Sequence, residues 1–207
     1  MADGRGSILE IRNLYKYYPG VTALSNVNLS FRRGEVHALC GENGAGKSTL
    51  IKAISGAIQP TSGEIIVEGK SYREMTPALS RACGIAVVYQ EFTLAPVLTV
   101  MENIFMGDFP LRGIVIDRDA MYRESTKIFE RMRVQVNPRE HVKDLTTGYQ
   151  QLVEIAKAIS RNAKILIMDE PSAPLTANEV ESMFNVVRAL RDQGVTVVYI
   201  SHRLEEI

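Results

Sequence analysis

The sequence predicts an α/β protein with a mostly parallel sheet, an N-terminal antiparallel β-subdomain and a helical insertion. Nearly continuous apolar runs rich in Val and Ile, typical of strands buried on both faces of a parallel sheet, occupy residues 85–89, 165–168 and 195–200. Residues 9–14 and 27–31 instead alternate apolar with polar side chains, as half-buried antiparallel strands do, and residues 64–68 continue that edge. The two patterns together place a parallel core beside an antiparallel N-terminal layer.

A helical pattern replaces the strand pattern between residues 90 and 163. Helices are expected at residues 100–106, 118–132 and 150–160. Pro96, the stretch 107–113 and the pair Asn137-Pro138 mark the loops between them. We therefore expect a helical subdomain at about residues 91–160, inserted into a single domain that spans residues 1–207.

Composition and charge exclude several classes of protein. The 207 residues are 45% hydrophobic, which fits one large domain with a substantial core. Lys and Arg number 24, as do Asp and Glu, so bulk charge predicts no nucleic-acid partner and no anionic membrane surface. No apolar run approaches the roughly 18 residues of a membrane-spanning helix, and the N-terminus lacks the apolar stretch of a signal peptide. We expect the isolated domain to be soluble.

The two cysteines, Cys40 and Cys83, each lie in an apolar run that resembles a strand. Cysteines in such runs are expected to be reduced core thiols of a cytosolic protein. We expect neither a disulfide nor a metal site from them.

A glycine-rich loop follows the apolar run at residues 36–40 and fits the pattern G-x-x-x-x-G-K-[ST]. The loop is followed by a predicted helix at residues 47–58, whose first-turn amides favour a bound anion. Glycines let the backbone fold tightly so that amide groups point at phosphate oxygens. The residues expected to hold the nucleotide phosphates are Gly41, Glu42, Asn43, Gly44, Ala45, Gly46, Lys47, Ser48 and Thr49.

The loop predicts a P-loop NTPase core with a nucleoside triphosphate as its ligand. Lys47 is expected to reach the β- and γ-phosphates, and the Ser48 hydroxyl to bind the accompanying Mg²⁺. The alternative is a glycine-rich turn between a strand and a helix that binds no ligand.

Two adjacent carboxylates, Asp169 and Glu170, end the apolar run at residues 165–168. Neighbouring strand residues point in opposite directions, so the two acids have separate roles. Asp169 suits the Mg²⁺ shell, usually through water, because this ion prefers oxygen ligands. Glu170 is then left to polarise an attacking water as a general base. A solvated strand end or a helix cap is the alternative.

The segment Leu-Thr-Thr-Gly-Tyr-Gln-Gln at residues 145–151 opens an amphipathic helix and resembles the signature motif of ATP-binding cassette (ABC) ATPases. Four further matches follow the order of motifs in that family and extend the resemblance over nearly the whole chain. They are Tyr18 before Pro19-Gly20, Gln90 in the Q-loop, residues 173–176 in the D-loop and His202 as the switch histidine.

The resemblance implies a role for each matched residue. Tyr18 stacks on the adenine base, Gln90 touches Mg²⁺ or water and links the nucleotide to the helical insertion, and His202 donates to the γ-phosphate. The alternatives are a tyrosine that packs on the sheet, a glutamine that stabilises a turn and a structural histidine. In the signature motif, Thr146, Thr147 and Gly148 bind the nucleotide held by a second cassette in a head-to-tail pair.

Three residues depart from the family pattern. Thr147 stands where the family's signature usually has glycine, and Tyr149 stands where it usually has glutamine. Pro174 occupies a D-loop position where a small, flexible residue is usual. The bulk of Thr147 is expected to alter contact with a partner's nucleotide.

Residues 88–91, 98–107 and 150–158 are similar to the ATPase subunits of bacterial monosaccharide importers of the ribose, galactose and xylose type. This resemblance implies ATP and Mg²⁺ as cofactors, and ATP hydrolysis coupled to sugar uptake across the inner membrane. It implies a second cassette and transmembrane permease subunits as partners, a periplasmic sugar-binding protein as an indirect partner, and a peripheral position on the cytoplasmic face of that membrane. The chain is expected to be the N-terminal cassette of a longer tandem subunit.

Three alternatives to a sugar importer remain open. One is a nucleoside importer of the same architecture, and another is a non-transport ABC ATPase that acts on DNA or ribosomes. The third is a nucleotide-binding regulatory module without turnover. Neutral charge and scarce cysteines argue against the second, and the complete set of Lys47, Asp169, Glu170 and His202 argues against the third.

Overall fold

The computed structural model of the chain describes residues 6–42 and 44–207. The strands are β1 (Ser7–Tyr18), β2 (Val21–Arg32), β3 (Val36–Cys40), β4 (Ser62–Val67), β5 (Lys70–Tyr72), β6 (Ile85–Val88), β7 (Leu111–Arg112), β8 (Val115–Ile116), β9 (Ile165–Asp169) and β10 (Thr196–Ser201). The helices are α1 (Lys47–Ile54), α2 (Pro77–Ala82), α3 (Val100–Ile104), α4 (Arg118–Met132), α5 (Thr147–Ile159) and α6 (Ala177–Asp192). Short 3₁₀ turns lie at Val142–Asp144 and Leu204–Glu206.

The predicted fold class is confirmed by two sheets of different type. Strands in the order β2-β1-β4-β5 form an antiparallel sheet near the N-terminus, and strands in the order β3-β10-β9-β6 form a parallel sheet. The central strands β9 and β10 are buried on both faces, as their continuous apolar sequences predict. The outer strand β3 alternates between exposed and half-buried residues.

The parallel sheet separates two apolar cores because its side chains alternate between faces. Ile165 and Ile167 of β9 point to a core shared with α1 and the antiparallel sheet. Leu166 and Met168 of the same strand point to a second core, shared with α3, α4, α5 and α6. The helix that follows the glycine-rich loop and the helix that carries the signature motif therefore pack on opposite faces of one sheet.

The register of the parallel strands brings their carboxyl ends to one edge. Ser201 of β10 pairs with Cys40 of β3, and Ile200 pairs with Asp169 of β9. Val88 of β6 pairs with Met168 of β9. The loops that leave these strands start side by side, which is where open α/β sheets bind ligands.

Several element boundaries differ from the sequence prediction. Helix α1 ends at Ile54 instead of residue 58, because Gly56 turns the chain with φ of 78° against the backbone of Thr76 and Pro77. Helix α5 starts at Thr147 instead of residue 150, and α3 ends at Ile104. The stretch predicted as a loop at 107–113 includes the first strand of the β7–β8 hairpin.

The prediction that both cysteines are core thiols is wrong. Cys40 is exposed because it lies on the outer strand β3, where alternate side chains leave the sheet. Cys83 is half-buried and follows helix α2 instead of lying in a strand, with its Sγ 3.5 Å from the Tyr72 hydroxyl. Within residues 6–42 and 44–207, no helix has the length and apolar character needed to cross a membrane.

Candidate functional site

The glycine-rich loop connects β3 to α1 and is shaped by two glycines with positive φ. Gly44 and Gly46 have φ of 86° and 89°, which favours residues without a side chain. A Cβ at Gly46 would lie 2.5 Å from the Ala23 carbonyl oxygen, so the loop also needs this glycine for space. Asn43, a predicted phosphate contact, lies outside the described residues.

Helix α1 begins at Lys47, and no side chain of the described residues caps its first turn. The Lys47 ammonium folds back over the loop, where it donates to the carbonyl oxygens of Gly41 and Glu42. Ser48 and Thr49 follow in the first turn. A charged donor and uncapped amides thus lie at the same helix end, which is the arrangement that binds an anion.

The predicted carboxylate pair lies at the end of β9. Burial, and then the nearby charge of Glu170, raise the pKa of Asp169, while the positive charges of Lys47 and Lys52 oppose the shift. Asp169 therefore lies within the electrostatic field of the loop lysine. Its charge is disfavoured in the fold, and a bound cation would relieve that cost.

Glu170 has a left-handed backbone, with φ of 47°. Its amide donates to the carbonyl oxygen of Ile200 at 3.0 Å, which ties the end of β9 to β10. One Glu170 carboxylate oxygen, Oε1, lies 3.1 Å from Nδ1 of His202, the residue that follows β10. Of the four residues that the sequence predicts as catalytic, which are Lys47, Gln90, Glu170 and His202, the last two are thus in direct contact.

Gln90 and Tyr18 are exposed residues at or just after the end of a strand. Gln90 is exposed, two residues after β6 ends. Tyr18 ends β1 with 42% of its surface exposed, and the Lys16 ammonium lies 5.1 Å from the centre of its ring. Lys16 lies opposite Leu24 in the β1–β2 strand pair. If residue 46 carried a Cβ atom, that atom would lie 3.1 Å from the Leu24 side chain. The β1–β2 strand pair that carries Tyr18 therefore approaches the phosphate loop at Gly46 through Ala23 and Leu24.

The signature residues do not join this cluster. The amide of Gly148 donates to Oε1 of Glu179 at 3.0 Å, and the Thr146 hydroxyl contacts the same oxygen at 3.4 Å. Both contacts reach α6, not the phosphate loop. The amide end of α5 thus has an internal carboxylate partner, and a Cβ at Gly148 would meet Glu179 at 2.6 Å.

Glu179 is a residue that sequence reasoning missed. It forms a capping box with Thr176, in which its Oε2 accepts from the Thr176 amide at 3.0 Å and from the hydroxyl at 2.9 Å. The bonds from the Thr176 amide and hydroxyl, with weaker help from Gly148 and Thr146, hold the Glu179 pKa below its usual range. The pattern T-x-x-E at residues 176–179 could have predicted the start of α6.

Comparison with known proteins agrees with this geometry. The profile of the ABC transporter family matches residues 24–173. A ribose import ATP-binding protein of Streptomyces avermitilis is 53% identical over 200 residues, which cover 97% of this chain and 38% of that protein. A xylose import ATP-binding protein of Geobacillus kaustophilus is 48% identical over 202 residues, which cover 97% of this chain and 40% of that protein. The chain therefore spans about two fifths of the length of these relatives.

Solved structures with the same fold are also similar in sequence. A nucleotide-free ATP-binding cassette from an ABC transporter superposes with a TM-score of 0.86 at 30% identity, covering 96% of this chain and 83% of that one. A dimeric bacterial ABC transporter cassette gives a TM-score of 0.79 at 26% identity, covering 96% and 89%. The family profile matches most of the chain, and the chain shares its fold with these solved cassettes. The chain therefore belongs to the ABC transporter family and has the fold of an ATP-binding cassette.

Proposed function

We propose that this chain binds and hydrolyses MgATP as part of a bacterial monosaccharide importer. The main support is the meeting of the phosphate loop, Gln90, the two carboxylates and His202 at one edge of the parallel sheet. Relatives at 45–53% identity are named as ribose, xylose and galactose import ATP-binding proteins. The chain spans about two fifths of those proteins, so sugar uptake is proposed for a larger assembly.

The loop residues that the sequence predicts would hold the phosphates through backbone amides and the Lys47 ammonium. The Lys47 ammonium donates hydrogen bonds to the Gly41 and Glu42 carbonyl oxygens. When a nucleotide binds, Lys47 would donate instead to charged phosphate oxygens, which form stronger hydrogen bonds than these neutral acceptors. Tyr18 would stack on the base, because its ring is exposed and ends a strand whose partner, β2, contacts the loop at Gly46. A stacked ring does not contact the hydrogen-bonding edges of the base, so the preference for adenine over guanine would be weak.

The residues at the sheet edge fit a Mg²⁺ ion that arrives with the nucleotide. Burial and the charge of Glu170 raise the Asp169 pKa, and a divalent cation opposes both effects. Across residues 6–42 and 44–207, no group of three or more His, Cys, Asp or Glu side chains could hold a metal ion. Ser48, Asp169 and Gln90 would therefore bind the ion together with phosphate oxygens and water. When bound, the ion would neutralise charge on the reacting phosphate.

Glu170 would accept the proton of the attacking water. Its side chain is only 17% exposed and its backbone is held by the Ile200 carbonyl oxygen, so the carboxylate is confined. His202 contacts one of the carboxylate oxygens and would orient Glu170 while facing the γ-phosphate. The other carboxylate oxygen would then be directed to the water.

Thr146, Thr147 and Gly148 would serve the nucleotide of another cassette. Their helix contacts Glu179 on the face of the sheet opposite α1, so they do not reach the loop of their own chain. In an importer the partner would be a second cassette, held with permease subunits at the cytoplasmic face of the inner membrane. A periplasmic sugar-binding protein would deliver the sugar to the permease.

Replacing Asp169 with Asn should stabilise the nucleotide-free chain against urea, because it removes a half-buried charge beside Glu170. The cost of that charge is fully present above the raised pKa of folded Asp169 and absent below the usual value of 3.8. The advantage of Asp169→Asn should therefore be largest near pH 7 and shrink as the pH falls. The urea unfolding midpoints of both chains, measured from pH 7 to pH 4, test this prediction. Glu181→Gln, which changes an exposed carboxylate, is the control. A midpoint for Asp169→Asn below that of the unsubstituted chain at pH 7 would contradict the prediction.

Lys47→Ala should weaken MgATP binding roughly 10- to 100-fold. The basis is the loss of charged hydrogen bonds to phosphate, about 1.5–3 kcal/mol. Titration calorimetry measures the affinity. Lys52→Ala, which removes an exposed lysine from the same helix, is the matched control and should change affinity little. Equal affinities of Lys47→Ala and the unsubstituted chain would mean that the loop is not the nucleotide site.

Glu170→Gln should retain MgATP binding but slow hydrolysis by about 10²–10⁴. The amide can hold a water molecule but cannot take its proton. Release of radiolabelled phosphate at saturating ATP gives the rate, and Glu181→Gln serves as the control. Turnover of Glu170→Gln at the unsubstituted rate would remove Glu170 from the role of base.

The isolated chain should remain mostly monomeric at micromolar concentration. Attraction of a phosphate to one exposed helix end is worth about 0.3–1 kcal/mol, which is too little to hold two copies together. Sedimentation velocity of Glu170→Gln with MgATP is the most demanding test, because blocked hydrolysis favours any closed pair. A stable homodimer, together with fast hydrolysis by the unsubstituted chain, would identify a self-sufficient cassette instead.

A further inference from the structure

The protein buries a carboxylate, Glu206, beside the candidate site, and the proposed hydrolysis does not use it. Only 7% of the Glu206 side chain is exposed, and the residue ends the 3₁₀ turn that follows His202. Removing an ionised group from water costs free energy unless hydrogen bonds compensate for the lost hydration. The groups that bond to Glu206 therefore show what its burial stabilises.

Two hydroxyl groups at the end of β10 donate to one oxygen of this carboxylate. Side chains of a strand alternate between the faces of its sheet, so Tyr199 and Ser201 lie on the same face. Both residues are buried, and each hydroxyl donates to Oε2 of Glu206 at 2.8 Å. The turn after β10 is thus folded back onto the strand that it leaves.

The segment that leaves the carboxylate pair supplies a third donor to Glu206. Ser172, which is buried, follows Glu170 by two residues. Burial raises the pKa of Glu206, but hydrogen bonds from Ser172 and from the two hydroxyls of β10 outweigh this effect and hold the pKa below its usual range. Glu206 therefore joins the chain just before His202 to the chain just after Glu170.

His202 depends on this turn because about half of its side chain is in water. The imidazole is 48% exposed, and its Nδ1 lies 3.1 Å from Oε1 of Glu170. On the other side of His202, the Arg203 amide donates to the Ser201 hydroxyl oxygen at 3.0 Å. Since that hydroxyl is itself held by Glu206, the carboxylate fixes the direction in which the His202 side chain leaves β10.

We propose that Glu206 is a positioning residue that keeps His202 in contact with Glu170 during ATP hydrolysis. This inference rests on the proposed function, in which Glu170 takes the proton of the attacking water and His202 orients it. Glu206 acts through the Ser201 hydroxyl, and its bond to Ser172 holds the turn in place relative to Glu170. A displacement of about 1 Å can cost a reaction about 10²-fold in rate, so a fixed orientation has a measurable benefit.

The position of His202 can be measured in the full nucleotide-free chain by NMR spectra of the histidine ring nitrogens at one pH. The chain has three histidines, His37, His141 and His202, so each spectrum contains its own controls. Glu170→Gln should move the His202 signals, because the ring loses its charged partner. Glu206→Met fills a similar volume but accepts no strong hydrogen bond, so it should move the His202 signals in the same direction. The signals of His37, which lies on β3 beside β10, should stay in place.

Steady-state hydrolysis at equal protein concentrations tests whether this position matters for the reaction. Glu206→Met should lower kcat about 10-fold and leave KM for MgATP unchanged, because it disturbs orientation and not binding. Glu206→Gln should recover most of the loss, because its amide oxygen can accept from both hydroxyls of β10. In a His202→Ala chain, Glu206→Met should cause no further loss, because Glu206 acts through His202. Glu205→Met changes an exposed residue of the same turn and is the matched control.

Ser201→Ala keeps the test informative if Glu206→Met does not fold. It removes one side-chain oxygen, and with it the link between Glu206 and the Arg203 amide. It should therefore move the His202 signals in the same direction as Glu206→Met. A role of Glu206 in filling space alone would leave the His202 signals unchanged in both variants.

The outcomes separate this inference from the proposed function. If the unsubstituted chain hydrolyses no MgATP, the proposed function fails, and the ring spectra still decide whether Glu206 positions His202. If Glu206→Met and Ser201→Ala leave the His202 signals unchanged, the inference is overturned and the nucleotide site stands. It is also overturned if Glu206→Met slows the His202→Ala chain further. Shifted His202 signals, with a lower kcat at unchanged KM, support it.

Discussion

The parallel pairing of β10 with β3 on one side and with β9 on the other is the constraint on which the candidate site depends. Parallel strands in register end at the same edge, so the loops that leave them start within a few residues of one another. This pairing brings the phosphate loop, the Asp169-Glu170 pair and His202 together from positions far apart in the chain. A one-residue shift of β10 would exchange the faces of its side chains and separate His202 from Glu170.

The same sheet keeps the glycine-rich loop and the signature motif of the chain apart. Its alternating side chains support α1 on one face and α5 on the other, so the signature helix is held away from the loop of its own chain. The Glu179 carboxylate at the amide end of α5 also caps α6, which follows Asp169 and Glu170 along the chain. Glu179 therefore joins the signature end of α5 to the start of α6.

Buried polar side chains, as well as apolar packing, specify the helical layer. Asn103 and Glu154 are buried, and each uses its hydrogen bonds on the backbone of the segment after Gln90. Such bonds are costly to leave unmade and depend strongly on geometry, so they favour one loop conformation over others of similar packing. Asp169 differs because it carries its charge at a cost in the free chain, a common property of residues placed for a ligand.

Local pattern was sufficient for much of the fold and for the elements on which the candidate site is built. The continuous apolar runs predicted β9 and β10, the amphipathic period predicted α4 with its observed bounds of Arg118–Met132, and the glycine pattern predicted the turn into α1. Each of these features is set by residues within a few positions of one another. The tertiary structure alone decided that Cys40 is exposed, that Glu179 meets Gly148 and that Glu154 holds Thr93. Periodicity reports which face of an element is apolar, but the partner of a polar group 31 or 61 residues away depends on how the elements pack.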